Sequence, residues 1–597
     1  MYPIRAIAII TFLILQLIAN GQEISYQLNL DNIVHHELKI QVTFSQLDRD
    51  TLEVRMPDAS PGRYASHQFA KNVYELSAAT PEGTELSIQR LTPNSWQVIN
   101  KGQDVQLEYT LFANHADGTY SGIDSRKLHL NMPATFIYGV DLSDRTILLS
   151  IDLNDHPDWS VATQLEQKAV NQFSAPNYYY FFDSPVFVGK IDWRSWDVDG
   201  QIIKIAMMHQ GTAKELDEYT QWVRQIVETE KKIYGELPDF DFGTYTFLTA
   251  YNPWVHGDGM EHRNSTICSS QGNLKDHAKY LIGTIAHEFF HAWNVERIRP
   301  ASLEPFDFDR PNMSEALWFA EGFTSYYDDL TLCRAGILPE SEYIINLTGT
   351  LNYVVNSPGR KINNPIEMSH NAPFVDAATA NDETNYGNTF ISYYNYGAAL
   401  GLVLDLSIRS SFKNITLDDF MRNVWIAHGK TEQPYTLPDL QKILAKTVND
   451  EAFAIQFFDE YIYDSHLPDL KNLLGIFGVR LDQHLQNKVY FGPTTLSETG
   501  VLESDVIRGT GWYDAGVETG DRIIAINEIP INNQIDFKTV LDQLTVGESY
   551  AIRYEQLGIH RSGMFTAQPN PAFSVTIDTE AGKKAMKLRN NWLWKNQ

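Results

Sequence analysis

The periodicity of apolar positions changes several times along this chain. Over about residues 22–190 it is short and alternating: Leu52, Val54 and Met56 share one face, and Val105, Leu107 and Tyr109, then Ile147, Leu149 and Ile151, repeat the pattern. A period of two marks a strand buried on one side. Turn-forming clusters such as Pro57-Asp58-Ala59-Ser60-Pro61-Gly62 separate the runs. Helical spacing is scarce, so the span predicts an all-β, sandwich-like domain. Its aromatic end, Tyr178-Tyr179-Tyr180-Phe181-Phe182, is expected to be a core strand.

The spacing then lengthens. Leu216, Tyr219, Val223, Ile226, Val227 and Ile233 fall on one stripe of a helix that Gly235 and Pro238 close. A strand over 245–250, a turn-rich loop over 252–262 and a buried helix over 281–293 are expected to follow in direct succession. From about 310 to 470 the pattern is mainly helical, as a second lobe over one site would be, and short strands return over 476–575. The predicted organisation is multidomain α+β. It has a β domain (22–190), a catalytic region (191–475, α/β to about 309 and helical after), a strand-rich module (476–575) and a tail (576–597).

Composition changes this picture little. The 597 residues are 43% apolar and 12% aromatic, enough for large cores. Asp and Glu number 75 against 47 Lys and Arg, a net charge of −28 with no long basic run to offset it. That argues against nucleic acid or an anionic membrane surface as partner. Residues 1–21 read as an export signal. Arg5 precedes an apolar run, Ala6 to Ile18, broken only by Thr11 and Gln16, and Ala19-Asn20-Gly21 supplies small residues for cleavage. The run is shorter than the ~18 residues that span a bilayer, so stable membrane insertion is not expected. The mature protein is expected to be periplasmic or secreted, beginning at Gln22 or Glu23. Two cysteines, Cys268 and Cys333, exclude a thiol-based zinc site and permit at most one bridge.

The chemistry concentrates in His287-Glu288-Phe289-Phe290-His291, inside the 281–293 helix. Two histidines four residues apart lie one turn apart on one side of a helix, which suits two nitrogens gripping one Zn²⁺. Glu288 then lies beside the metal, where it can take a proton from water. A catalytic zinc site usually has three protein ligands. The all-histidine continuation is absent, because Ala292-Trp293-Asn294-Val295-Glu296-Arg297 follows. Glu321, the single acid in Leu317-Trp318-Phe319-Ala320-Glu321-Gly322-Phe323, is the leading third ligand, since a carboxylate in apolar surroundings needs a compensating charge. Glu296 and Glu315 are the alternatives.

The trio His287, His291 and Glu321 resembles the gluzincin metallopeptidases, whose catalytic fold is thermolysin-like. Gly259-Met260-Glu261-His262, the His287 to Asn294 segment and Trp318 to Tyr327 together resemble the glycyl aminopeptidase family. The likeness extends to Met56-Pro57, Pro61-Gly62-Arg63-Tyr64 and Asp183-Ser184-Pro185, and Gly511 to Asn527 resembles a bacterial PDZ domain. The resemblance implies an aminopeptidase with one Zn²⁺ per chain, cleaving after small N-terminal residues, glycine or alanine. It implies that Glu261, in a loop with Gly259 and Met260, holds the free α-amine, and that Tyr394, three before Gly397, steadies the oxyanion. His262 stands where the larger clan of aminopeptidases commonly carries asparagine, and the glycyl aminopeptidase family is similar in that respect. Two departures are Tyr396 where relatives carry lysine and Ser325 where some gluzincins place an aspartate that steers a ligand histidine. Asp328 and Asp329 are the candidate substitutes. The PDZ-like module implies a peptide or protein C-terminus as a further partner. Two other functions fit the same residues: a zinc endopeptidase, and a PDZ-bearing binding protein whose metal site no longer turns over.

Overall fold

A computed structural model describes residues 23–375 and 383–595. The expected export signal and its cleavage point before Glu23 lie outside them. The chain packs as two compact units. One holds the chain up to Thr220 with Asp239–Leu281 and Phe306–Pro311; the other holds Gln221–Pro238, Ile282–Pro305 and the chain from Asn312 onward.

The first unit is β-rich. Alternation builds it as predicted: Leu38, Ile40, Val42 and Phe44 are fully buried on one strand, Glu37–Phe44. They stand opposite Leu111, Tyr109, Leu107 and Val105 of the antiparallel strand Val105–Phe112. These strands lie within a seven-stranded sheet, beside two four-stranded sheets that include Thr51–Arg55 and Val186–Gly189. Each such fully buried side chain contributes about 1.5–3 kcal/mol over its exposed state.

The aromatic run is a helix, Tyr178–Phe182, and not the expected strand. The Asn177 side chain accepts the Tyr180 amide at 2.8 Å and so starts a helical turn. Spacing of three and four then carries Tyr178, Phe181 and Phe182 into the core. Local capping decides here over aromatic β-propensity.

A five-stranded sheet completes this unit, in the order Asp192–Val198, Gln201–His209, Thr244–Tyr251, Ser265–Ser270 and Asp258–His262. The expected loop over 252–262 therefore ends in a strand. That strand forms a hairpin with Ser265–Ser270, which precedes the metal-site helix. The hairpin escaped the sequence reading because Gly259, His262 and Asn264 interrupt any apolar alternation.

The second unit is mainly helical. Gly322–Arg334 and Tyr393–Ser411 cross at glycines: a Cβ on Gly397 would lie 2.0 Å from the Trp318 carbonyl oxygen, and one on Gly322 would lie 2.3 Å from the Gly397 Cα. The crossing is backbone on backbone. Beside it a buried charge network joins Arg409 to Asp405 (2.7 Å) and Arg334 to Asp418 (3.0 Å), with Tyr326 and Tyr327 donating to the two aspartates. The C-terminal helix, Lys583–Trp592, docks on the same place. Trp592 is fully buried, its indole N–H donates to the Tyr326 hydroxyl at 2.9 Å, and its carbonyl accepts from Arg334. The tail that carried no sequence signal thus closes the lobe.

The strand-rich C-terminal module carries a four-stranded sheet, Ile529–Pro530, Arg522–Ile526, Ser549–Gln556 and Ile559–Thr566. Its helix runs Gln534–Leu541 and begins after Asn533, whose side chain caps it. Amide side chains fix the neighbouring segments to the helical lobe. Asn352 accepts the Phe573 amide and donates to the Phe573 carbonyl, and Asn388 does the same for Arg508 and Val506. Cys268 and Cys333 are both buried and form no disulfide. Among the described residues, no helix is long and apolar enough to cross a membrane.

Candidate metal centre

The metal-site helix runs Leu274–Phe290, so His287 and Glu288 lie in its last turn and His291 just past its end. The chain keeps winding there, with Val295 and Glu296 both donating to the His291 carbonyl, which preserves the one-turn offset of the two rings. Glu321 sits between two short helical pieces, Leu317–Ala320 and Gly322–Arg334, in helical backbone conformation. His287 Nε2 and His291 Nε2 are 3.1 Å apart, and Glu321 Oε2 lies 3.2 Å from the second and 3.7 Å from the first.

These separations test the predicted metal. With zinc–nitrogen distances near 2.0–2.1 Å, tetrahedral donors stand roughly 3.3 Å apart. The tautomers agree. His291 Nδ1 donates to the Asn294 carbonyl at 2.5 Å and His287 Nδ1 to Asp328 Oδ2 at 3.2 Å, leaving both Nε2 lone pairs facing inward. Electrostatics point the same way. Burial alone would push the Glu321 carboxyl up, yet the two imidazoles hold it below the usual carboxylate range. Burial alone would lower His287, yet Asp328, Glu321 and Glu288 hold it well above the ordinary histidine value. The cluster is built around a positive charge, and its donor set fits zinc. The alternative ligand Glu296 is instead paired with Arg299 at 3.1 Å.

Asp328 therefore takes the steering place that Ser325 leaves vacant. Its neighbour Asp329 turns elsewhere; burial and the charge of Asp328 push its carboxyl up to about 7. Two participants went unassigned in the sequence reading. Asn294 donates to the carbonyls of Phe319 and Ala320 at 3.1 and 3.2 Å, tying the His291 turn to the Glu321 segment. Glu230, on the helix Ala213–Tyr234, is fully buried; burial, then the charge of Asp328, pushes its carboxyl well above the usual range. An acid on an otherwise apolar helical stripe is the signal that could have found it.

Tyr394 stands in the first turn of Tyr393–Ser411, half-buried, with its ring 6.1 Å from the His287 ring. The Gly322–Gly397 crossing brings it there, since Gly322 adjoins Glu321 and Gly397 lies three past Tyr394. Tyr396, the departure at the lysine position, is fully buried.

Glu261, Gly259 and Met260 belong to the first unit, on the sheet-edge strand Asp258–His262, with Met260 and Glu261 buried. Both ends of that strand are tied to the β domain. At its start Asp258 accepts the Gly118 amide at 2.9 Å and pairs with Arg63. At its end His262 Nδ1 lies 2.9 Å from Asp183, which also accepts the Arg263 amide. Gln164 accepts the Asn264 amide and donates to the Asp183 carbonyl. His262 and Asp183, both within the resembling motifs, are thus partners.

A buried His-His-Glu donor set with an adjoining glutamate on the same helix defines a zinc metallopeptidase. Family models agree along two stretches: the Peptidase M61 N-terminal domain matches residues 25–190 and the M61 glycyl aminopeptidase model matches residues 280–400. Over these two stretches the chain matches the M61 glycyl aminopeptidase family, and it is a metallo-aminopeptidase. Among solved structures it is similar to an aminopeptidase N family protein from Idiomarina loihiensis, at 25% identity and a TM-score of 0.83, over 96% of this chain and 100% of that one. A mutant M1 zinc metallopeptidase from Deinococcus radiodurans, bound to a Tyr-Ser-Ala substrate, aligns at 14% identity and a TM-score of 0.44, over 75% and 95% of the two chains. A search of curated proteins returns no match.

Proposed function

We propose that this protein is an exported zinc aminopeptidase that removes small N-terminal residues, glycine and alanine first, from peptides. The observation that carries the hydrolytic part is the inward-facing donor set of His287, His291 and Glu321, spaced for one tetrahedral ion. Those three side chains would hold Zn²⁺, which polarises the scissile carbonyl and makes water a stronger acid. Glu288 takes the proton from the attacking water and delivers it to the departing amine. The Tyr394 hydroxyl donates a hydrogen bond to the carbonyl oxygen as it gains negative charge. Asp328 and the Asn294 carbonyl take the Nδ1 hydrogen bonds and fix both rings with Nε2 directed at the site.

Glu261 supplies the exopeptidase character. A buried carboxylate opposite an ammonium is a strong, charge-assisted pairing, and it selects peptides with a free N-terminus. The preference for glycine and alanine rests on the family resemblance, and export on the pattern of residues 1–21.

The test is hydrolysis of glycyl-, alanyl- and leucyl-arylamides and of one N-acetylated peptide, with zinc-loaded wild type beside Glu288→Ala. Release from glycyl and alanyl substrates alone, lost in the variant, is the expected result. Cleavage of the blocked peptide would establish an endopeptidase instead. Zinc binding without turnover of any substrate would make the chain a binding protein. Export is tested by the mass of the secreted form, expected to begin at Gln22 or Glu23.

The C-terminal module, read as PDZ-like, carries a closed edge. The segment around Leu496 pairs on one side with Leu502, while on the other Gln534 accepts the Leu496 amide at 2.6 Å and donates to the Thr494 carbonyl at 3.3 Å. An added peptide strand would use those same two backbone groups. The module is therefore expected to bind labelled C-terminal peptides only after Gln534→Ala; binding to wild type at this edge would contradict the closure.

A further inference from the structure

We propose that Gly62 and Arg63, in the β domain, are positioning residues for Glu261: they hold its carboxylate in the one posture that fixes the substrate's N-terminus. The proposal rests on the reading of Glu261 as the amine anchor and extends it to residues about 200 positions away in sequence.

Gly62 lies directly against the end of the Glu261 side chain. A Cβ built on it would stand 2.9 and 3.2 Å from the two carboxylate oxygens and 2.4 Å from the Met260 sulfur. Its φ of +73° is in the left-handed region, where a Cβ is strained whatever the space. Two independent constraints thus exclude a side chain at this position. The turn that sets the φ is closed by the Arg63 amide donating to the Ser60 carbonyl at 3.0 Å.

Arg63 then fastens that turn to the strand bearing Glu261. Its Nη2 donates to the Gly259 carbonyl at 3.0 Å and pairs with Asp258, while its Nε donates to Thr119 at 2.6 Å. One guanidinium therefore grips the strand on both sides of the Asp258–Gly259 peptide, two residues before Glu261. A glutamate has three rotatable side-chain bonds, and an exposed one samples many carboxylate positions. The bare backbone of Gly62 forms a wall against the carboxylate, and the fork of Arg63 fixes the distance of that wall. A change at either residue shifts the anchor without touching the metal ligands.

The experiment compares steady-state kinetics of a glycyl-arylamide for full-length, zinc-loaded wild type, Gly62→Ala, Arg63→Lys, Glu261→Asp, Glu261→Gln and the double variant Gly62→Ala/Glu261→Asp. Gly62→Ala is expected to raise KM about tenfold with kcat within about threefold, the split expected when ground-state anchoring is lost. Zinc content should be unchanged. Because aspartate is one methylene shorter and withdraws from the added Cβ, the double variant should show a smaller KM effect than the product of the two single changes. A merely structural role for Gly62 predicts no such coupling. If Gly62→Ala does not fold, Arg63→Lys carries the test, with the same rise in KM expected. Wild-type KM in Gly62→Ala or Arg63→Lys, while Glu261→Gln raises KM, overturns the proposal alone. Unchanged KM in Glu261→Gln overturns the reading of the amine anchor and the proposal with it.

Discussion

Two short motifs carry this protein's chemistry, and the chain holds them in opposite ways. The His287 to His291 turn is held by its own neighbourhood in sequence: the rings follow from one helical period, and Asn294 and Asp328 steady them from 3 and 41 residues away. The Gly259 to His262 strand is held from a distance, by Arg63, Gly118 and Asp183, partners 195, 140 and 79 residues away. A helix satisfies its own backbone and presents side chains at a fixed spacing. An edge strand satisfies only one side, so its position must be imposed from elsewhere. The proposed metal chemistry would therefore be a local property of the sequence, and the proposed amine recognition a property of the tertiary fold.

The sharpest way to break the local side is to remove its one distant ligand. Glu321→Ala leaves two donors, and zinc affinity should fall by more than the 10–100-fold typical of an outer partner, with activity lost in proportion. Competitive chelation followed by activity measurement reads both. Retained zinc and turnover would move the third ligand to Glu296 or Glu315. The outer partner comes next. Asp328→Asn keeps the shape but loses the charge facing His287, so zinc affinity should drop by about 10–100-fold. Full affinity in this variant would mean that the helix alone orients the ring.

On the distant side, Asp183→Asn weakens a buried, charge-assisted hydrogen bond to His262, of a kind worth about 1.5–3 kcal/mol. Zinc content should stay that of wild type while KM for a free-amine substrate rises several-fold. A loss of zinc instead would show that the two motifs are not separately held, and the contrast drawn above would fail.

The same contrast explains how much of the molecule was legible in the sequence. Periodicity located the β domain, the helix over 213–234, the metal-site helix and the helical lobe, because each element buries a face of its own. The pairing of His287 with His291 was legible because a helical motif needs no tertiary information, and the clustering of Glu321 with them because an acid among Leu317, Trp318 and Phe319 calls for a compensating charge. The His262 strand was read as loop, since what makes it a strand is its partner Ser265–Ser270 and its tethers. No sequence pattern pairs Gly322 with Gly397; only the crossing shows why neither tolerates a side chain. The tail was silent because Trp592 matters through Tyr326 and Arg334, more than 250 residues earlier.

Glu230 offers the smallest effect and the most stringent test of the local side. It lies in the electrostatic field of both Asp328 and His287 but takes no part in the proposed chemistry, and neither of its carboxyl oxygens has a hydrogen-bond partner. Burial, then the charge of Asp328, raises its pKa in the folded protein. The stability linked to its proton is therefore fully present below the unfolded value, near pH 4.3, and declines as pH rises toward the folded pKa. Glu230→Gln has nearly the same shape and no proton to lose. At pH 5 the variant and wild type should melt close together; at pH 8 the variant should melt higher, with zinc affinity unchanged. A variant that melts lower at pH 8 would show that Glu230 works there as a charged group, and that the metal site draws on a third buried carboxylate behind Asp328.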